Sequence, residues 1–230
     1  MGRPKKIKKE NEEHLGPDHW DGQEYEVELE FITSLLATKP NKKVYMKWLA
    51  GKQVEQMEKE GKPIDEIRDA VRQIEEGLGH HSGEGDVAET FTTFCKDDKG
   101  IYLEAYMLKA FFKNAAWTMK KWGETTNLRS LVVKYLFVTT PKVYVEMPEG
   151  GVIEKCERPI RCQTAQGERI SIGISDEVPA GTKLNFKFRV LKGQLGYDLI
   201  RALLDYGHYV GIGQWRTGDH GQFKYKIRKV

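Results

Sequence analysis

Cysteine is scarce in this chain and its charge is nearly balanced. The 230 residues carry three cysteines, Cys95, Cys156 and Cys162, and 37 Lys+Arg stand against 34 Asp+Glu for a formal net charge of +3. An odd cysteine count, with no Cys-x-x-Cys pair and no histidine at metal spacing beside it, argues against a disulfide framework or a structural zinc. So small a net charge removes any case for nucleic-acid binding from overall charge; only local clustering can supply one. No run approaches the roughly 20 apolar residues of a membrane span, and the basic amino terminus has no apolar core behind it, so it does not read as a signal peptide. A cytoplasmic location is the default expectation. Also missing are a strand-coupled P-loop, a G-x-G-x-x-G fingerprint and a nucleophile elbow, which leaves kinase, dehydrogenase and Ser-His-Asp readings without support.

What is present is clustered. Arg3, Lys5, Lys6, Lys8 and Lys9 crowd the amino terminus, and Lys224, Lys226, Arg228 and Lys229 close the chain. Residues 1–22 show no apolar period and read as a flexible basic arm, either a solvated tail or one that orders on nucleic acid or a neighbouring subunit. From 23 to 230 the expectation is a single domain with an inserted helical and loop segment at about 39–100 and a β insertion at about 148–182.

Within it, Glu24–Phe31 alternates, with Tyr25, Val27, Leu29 and Phe31 on one face and glutamates on the other, so a strand with one wet face is predicted. The stretch from Lys39 to Gly61 reads as irregular with a helical start. Pro63 then opens a helix carrying Ile64, Ile67, Val71 and Ile74, which Gly77 stops. The loop Gly77–Gly85 holds His80 and His81, whose adjacency, with no third ligand at a recognisable spacing, does not make a metal site; surface loop and nucleic-acid contact both stay open. A hairpin is predicted across Lys96–Gly100, followed by a helix at Tyr106–Trp122 whose Lys109 and Lys113 are either solvated or a basic groove wall. Leu131–Val138 reads as a buried strand, and Val143, Val145 and Met147 alternate after it. Cys156–Arg169 reads as a polar loop whose Arg158, Arg161, Gln163 and Arg169 either contact a ligand or form structural ion pairs. Ile170–Ile174 and Leu184–Val190 read as two antiparallel strands joined at Pro179–Gly181, and Tyr197–Tyr206 as a helix ended by Gly207.

The stretch Tyr206–Phe223 is the densest in signal. Gly211, Gly213 and Gly218 bring backbone close to something, while Gln214, Trp215 and Arg216 offer hydrogen bonds, a stacking plane and a fixed charge. Phosphate and base are the obvious ligands. The competing reading makes Trp215 a packing anchor and pairs Arg216 with Asp219 or Asp205.

In order, the strong elements give β-α-β-β-α-β, an α+β chain with a ferredoxin-like (RRM-like) core and insertions; modules of this topology bind nucleic acid on the sheet face free of helices. The last helix, the loop Gly211–Phe223 and the strand after it resemble the carboxy-terminal signature of the RAMP superfamily, the RRM-like CRISPR-associated backbone and processing proteins. Arg158–Arg169 together with Leu204–Gly207 and Gly211–Arg216 also resembles an uncharacterised bacteriophage protein family. The RAMP resemblance implies a non-enzymatic protein binding RNA or single-stranded DNA through side-by-side homo-oligomers, with no cofactor. Two alternatives stay open: a phage anti-defence factor that binds a host defence protein or a nucleotide, and a RAMP-type endoribonuclease using His208 or His220, or the His80/His81 pair, as general acid or base.

Overall fold

The computed structural model describes residues 22–78, 92–164, 167–191 and 195–230. Its elements run β1 (Gly22–Phe31), β2 (Leu35–Leu36), β3 (Lys39–Pro40), α1 (Lys42–Lys59), α2 (Ile64–Leu78), β4 (Thr92–Thr93), β5 (Cys95–Asp97), β6 (Gly100–Glu104), α3 (Ala105–Met119), α4 (Leu128–Tyr135), β7 (Leu136–Val138), β8 (Lys142–Glu146), β9 (Glu154–Thr164), β10 (Gly167–Val178), β11 (Lys183–Leu191), α5 (Tyr197–Val210) and β12 (Phe223–Lys229). The fold is α+β. One sheet runs β12-β1-β11-β8-β6-β5 with β7 also on β11; a second runs β2-β10-β4-β3 with β9 on β10.

Strict alternation makes β1 the organising strand. Val27, Leu29 and Phe31 are buried and face Leu108, Phe111, Phe112 and Ala115 of α3 and Leu199, Ile200, Leu203 and Leu204 of α5 in one core. Phe186 and Phe188 of β11 and Phe223 of β12 complete it, each fully buried side chain contributing about 1.5–3 kcal/mol. On the opposite face, registers Glu26↔Arg228, Glu28↔Lys226 and Glu30↔Lys224 put acid beside base. Ion pairs follow at 2.5, 3.0 and 2.9 Å, with Lys183 of β11 3.9 Å from Glu28. The face expected to bind nucleic acid is therefore a self-neutralising ladder with an acidic central strand.

Several sequence expectations are corrected. Residues 128–135 are helical, not the start of a buried strand: Leu128 and Val132, one turn apart, are both buried, and only Leu136–Val138 is extended. Cys156–Arg169 is no loop; its described residues, Cys156–Thr164 and Gly167–Arg169, form most of β9 and open β10, in an antiparallel hairpin. β10 and β11 do not pair, because the Pro179–Gly181 turn carries the chain from the second sheet to the first. The segment after Lys39 becomes an 18-residue helix. Finally, α5 does not stop at Gly207 but runs on to Val210, capped by Gly211 at φ 73°. Gly207 serves packing instead: a Cβ there would lie 2.0 Å from the Phe223 ring.

Candidate nucleic-acid interface

The glycine-rich loop closes on itself and on the second sheet. The Ile212 amide donates to the Gly221 carbonyl at 2.8 Å, and the Gly221 amide to the Ser34 carbonyl at 2.7 Å. A Cβ on Gly211 would meet the Gly221 carbonyl carbon at 2.4 Å, and one on Gly213 the Leu36 oxygen at 2.8 Å. These glycines admit protein backbone, so the expected phosphate cradle of Gly211, Gly213 and Gly218 is occupied by the chain itself. Trp215, at φ 52°, lies across Gly218, where a Cβ would come within 2.7 Å of the indole. It stacks on His220 at 5.0 Å between ring centroids.

At this junction the fold brings the expected Arg158 to Gln214 and Trp215, which lie far from it in sequence. The Arg158 guanidinium lies 5.4 Å from the Trp215 ring centroid and donates to Ser175 Oγ at 3.0 Å. Ser175 Oγ donates to Gln214 Oε1 at 2.7 Å, and Thr92 Oγ1 reaches the same oxygen at 3.1 Å. Arg158 is only 6% exposed, yet among the described residues it has no carboxylate ion pair. Trp215 is thus an anchor that keeps one partly open face. His220 is held by Ser34 at 2.9 Å and by Glu177 at 3.8 Å.

The other expected residues scatter. Lys109 turns inward and donates to the carbonyls of Val132, Val133 and Leu136, closing the carboxyl end of α4. Burial, and then the charge of Lys113, push its ammonium down to about 8, so Lys109 is a helix cap and not a groove wall. Arg161 is exposed on β9. Gln163 and Arg169 sit at the hairpin's far end, in register with Glu168 and Cys162, and their side chains lie outside the described residues, as do His80 and His81. His208, exposed near the end of α5, lines a separate groove with Tyr197, Arg201 and Tyr225, so His208 and His220 share no site.

Arg216 takes neither expected partner. Asp205 accepts the Tyr225 hydroxyl at 2.8 Å, and the amide of Gln222 lies 3.5 Å from Asp219. Among the described residues Arg216 forms no ion pair; instead it lines a groove of about 500 Å³ with Thr38, Tyr106, Met107, Asn114 and Gly213. Tyr106 is 61% exposed there. Sequence reasoning missed Tyr106 and Asn114 because each sits singly on a helix otherwise read for its core face. Thr92 and Ser175 were missed because isolated hydroxyls in strands carry no pattern.

No protein-family model and no curated protein sequence matches the chain. Its fold is similar to a chain in the cryo-EM structure of the Type III-B Cmr-beta bound to cognate target RNA, with a TM-score of 0.41, 10% identity, and coverage of 91% of this chain and 61% of that one. It is similar as well to a chain of a Type IV-B CRISPR complex, with a TM-score of 0.39, 10% identity, and coverage of 89% and 90%. The chain thus spans about three fifths of the first of these chains. At such scores and identities neither overlap carries an argument about activity.

Proposed function

We propose that this protein binds single-stranded nucleic acid, RNA or DNA, in the groove between α3 and the glycine-rich loop, without performing chemistry on it. The observation that carries the reading is Arg216: a guanidinium free of acids among the described residues, set in the same groove as the exposed Tyr106. A fixed cation beside an aromatic ring is the minimal set for holding a phosphate and stacking a base. Asn114 and Thr38 add hydrogen-bonding groups to the wall. The strand order β12-β1-β11-β7, antiparallel at each step, with α3 and α5 as the connecting helices, supports the ferredoxin-like, RRM-like reading of the core. Binding beside the helices, away from the ion-paired sheet face, is the departure from the expected mode. An endoribonuclease reading gains nothing, since His208 and His220 both lie outside this groove's lining.

Fluorescence anisotropy with labelled ten-mers of RNA and DNA tests the reading. Binding at micromolar protein that weakens with salt is expected. Tyr106→Ala is expected to lower affinity by about 1–3 kcal/mol, the range of one base–aromatic stack, and Arg216→Ala to flatten the salt dependence. Salt-independent binding, no binding, or unchanged affinity in both variants would overturn it.

A further inference from the structure

A second cavity, of about 170 Å³, shares the glycine-rich loop through Gln214 and is lined by Thr92, Arg158, Ile160, Ile172 and Ser175, among others. It is smaller than the roughly 300–1,000 Å³ of a pocket for a whole small molecule, so it suits one functional group. Gly173 keeps it open: a Cβ there would lie 2.4 Å from Ile160 Cδ1. Its polar groups are oriented in one direction. Arg158 and Thr92 both donate to Ser175 Oγ, Thr92 at 2.7 Å, and Ser175 donates on to Gln214 Oε1. With one N–H on Ser175 and another on the Cys156 sulfur, the guanidinium of Arg158, which carries five N–H groups, still offers donors, as does the amide N–H₂ of Gln214. Among the described residues no carboxylate lines the cavity, and the isoleucine walls lower the local dielectric around a cation that is 6% exposed.

The geometry points to a phosphate pocket: Arg158 and Gln214 together bind one phosphate oxyanion, from a nucleic-acid strand or from free phosphate. Arginine's planar fork matches such a group with two parallel hydrogen bonds. The strand as source rests on the proposed function; the pocket itself does not. A strand held in the Arg216 groove would then meet a second fixed cation at the same loop.

Trp215 reports occupancy because its indole lies beside Arg158. Titrating inorganic phosphate is expected to change tryptophan emission saturably, and the change is expected to vanish in Trp215→Phe, Arg158→Gln and Ile172→Glu. Ile172 is 57% exposed, so Ile172→Glu places an acid at the rim without touching the core and keeps the test decisive where Arg158→Gln fails to fold. With ten-mers of oligouridylate, Ile172→Glu and Arg158→Gln are expected to weaken binding and to lower the slope of log K against log salt by about 0.7, the value of one single-strand phosphate. Equal losses with 5′-phosphate and 5′-hydroxyl strands assign an internal phosphate, and a loss confined to the 5′-phosphate strand assigns the terminal one. Phosphate binding without any oligonucleotide binding keeps the pocket as a free-phosphate site and sinks the strand reading. Oligonucleotide binding with no phosphate response and unchanged slopes in both variants overturns the pocket alone.

Discussion

Gly207 shows how one residue's role changes between sequence and fold. At the end of an amphipathic run a glycine reads as a helix stop, yet α5 continues through it and the missing side chain is filled by the Phe223 ring. Gly207→Ala gains up to about 1 kcal/mol of helix propensity but forces an overlap that costs about 1–3 kcal/mol, because the ring is wholly buried among β12, α3 and α5. A net loss of stability is expected in a urea melt. Phe223→Leu is expected to recover part of it in the double variant, giving a coupling that separate sites do not show. Additive effects would mean the close approach is not what the glycine serves. The same lesson holds at Gly211 and Gly213: composition told that backbone approaches something there, and only the fold tells that the something is the chain's own backbone.

Among the elements, β1, β12, α3 and α5 were legible because their apolar periods are clean and each has one core to face. α4 was not, since Leu131-Val-Val-Lys-Tyr-Leu-Phe-Val138 is rich in β-branched residues and its helical state depends on a cap from α3. Lys109 supplies that cap, and the pH dependence of stability tests it. Below pH 8 the lysine holds its proton in both states. Between about 8 and its ordinary 10.5 the unfolded chain holds more of it, so this group adds to stability as pH rises. Tyr225 acts in the opposite sense: burial, then the hydrogen bond to Asp205, push its phenol up to about 12 from 10.0, and the stability it lends below pH 10 is lost as pH climbs from 10 to 12. Urea melts across pH 7–11 are expected to show wild type gaining on Lys109→Met above pH 8 and losing ground to Tyr225→Phe above pH 10. Flat differences in both windows would refute these assignments.

For the whole molecule, the decisive arrangement is the charge pattern over three strands, which no single segment reveals. The glutamates of β1 were visible in sequence, and so were the cations of β12; their pairing needs the register that sets Glu28 against Lys226. The hydrogen bonds from Lys226 and Lys224 hold the carboxyls of Glu28 and Glu30 below their usual range, so these two stay ionised at neutral pH. Likewise the junction of Arg158, Gln214 and Trp215 was named residue by residue, but the hairpin that carries Arg158 to the loop was hidden because Cys156–Arg169 sets only isolated apolar residues such as Ile160 among polar ones. If strands bind beside α3 and the loop, the ladder's cations are spent on glutamates, and Lys226→Ala with Arg228→Ala is expected to leave oligonucleotide affinity within about twofold, since exposed ion pairs hold only about 0–1 kcal/mol. Replacing Glu26, Glu28 and Glu30 by glutamine frees those cations and removes three negative charges from a chain with a net charge of +3. That triple variant is expected to stay folded, to bind single strands more tightly, and to show a steeper salt dependence, by about 0.7 per phosphate newly engaged. Should the Lys226→Ala, Arg228→Ala pair instead cost as much affinity as Arg216→Ala, the open sheet face is the binding surface and the groove reading falls.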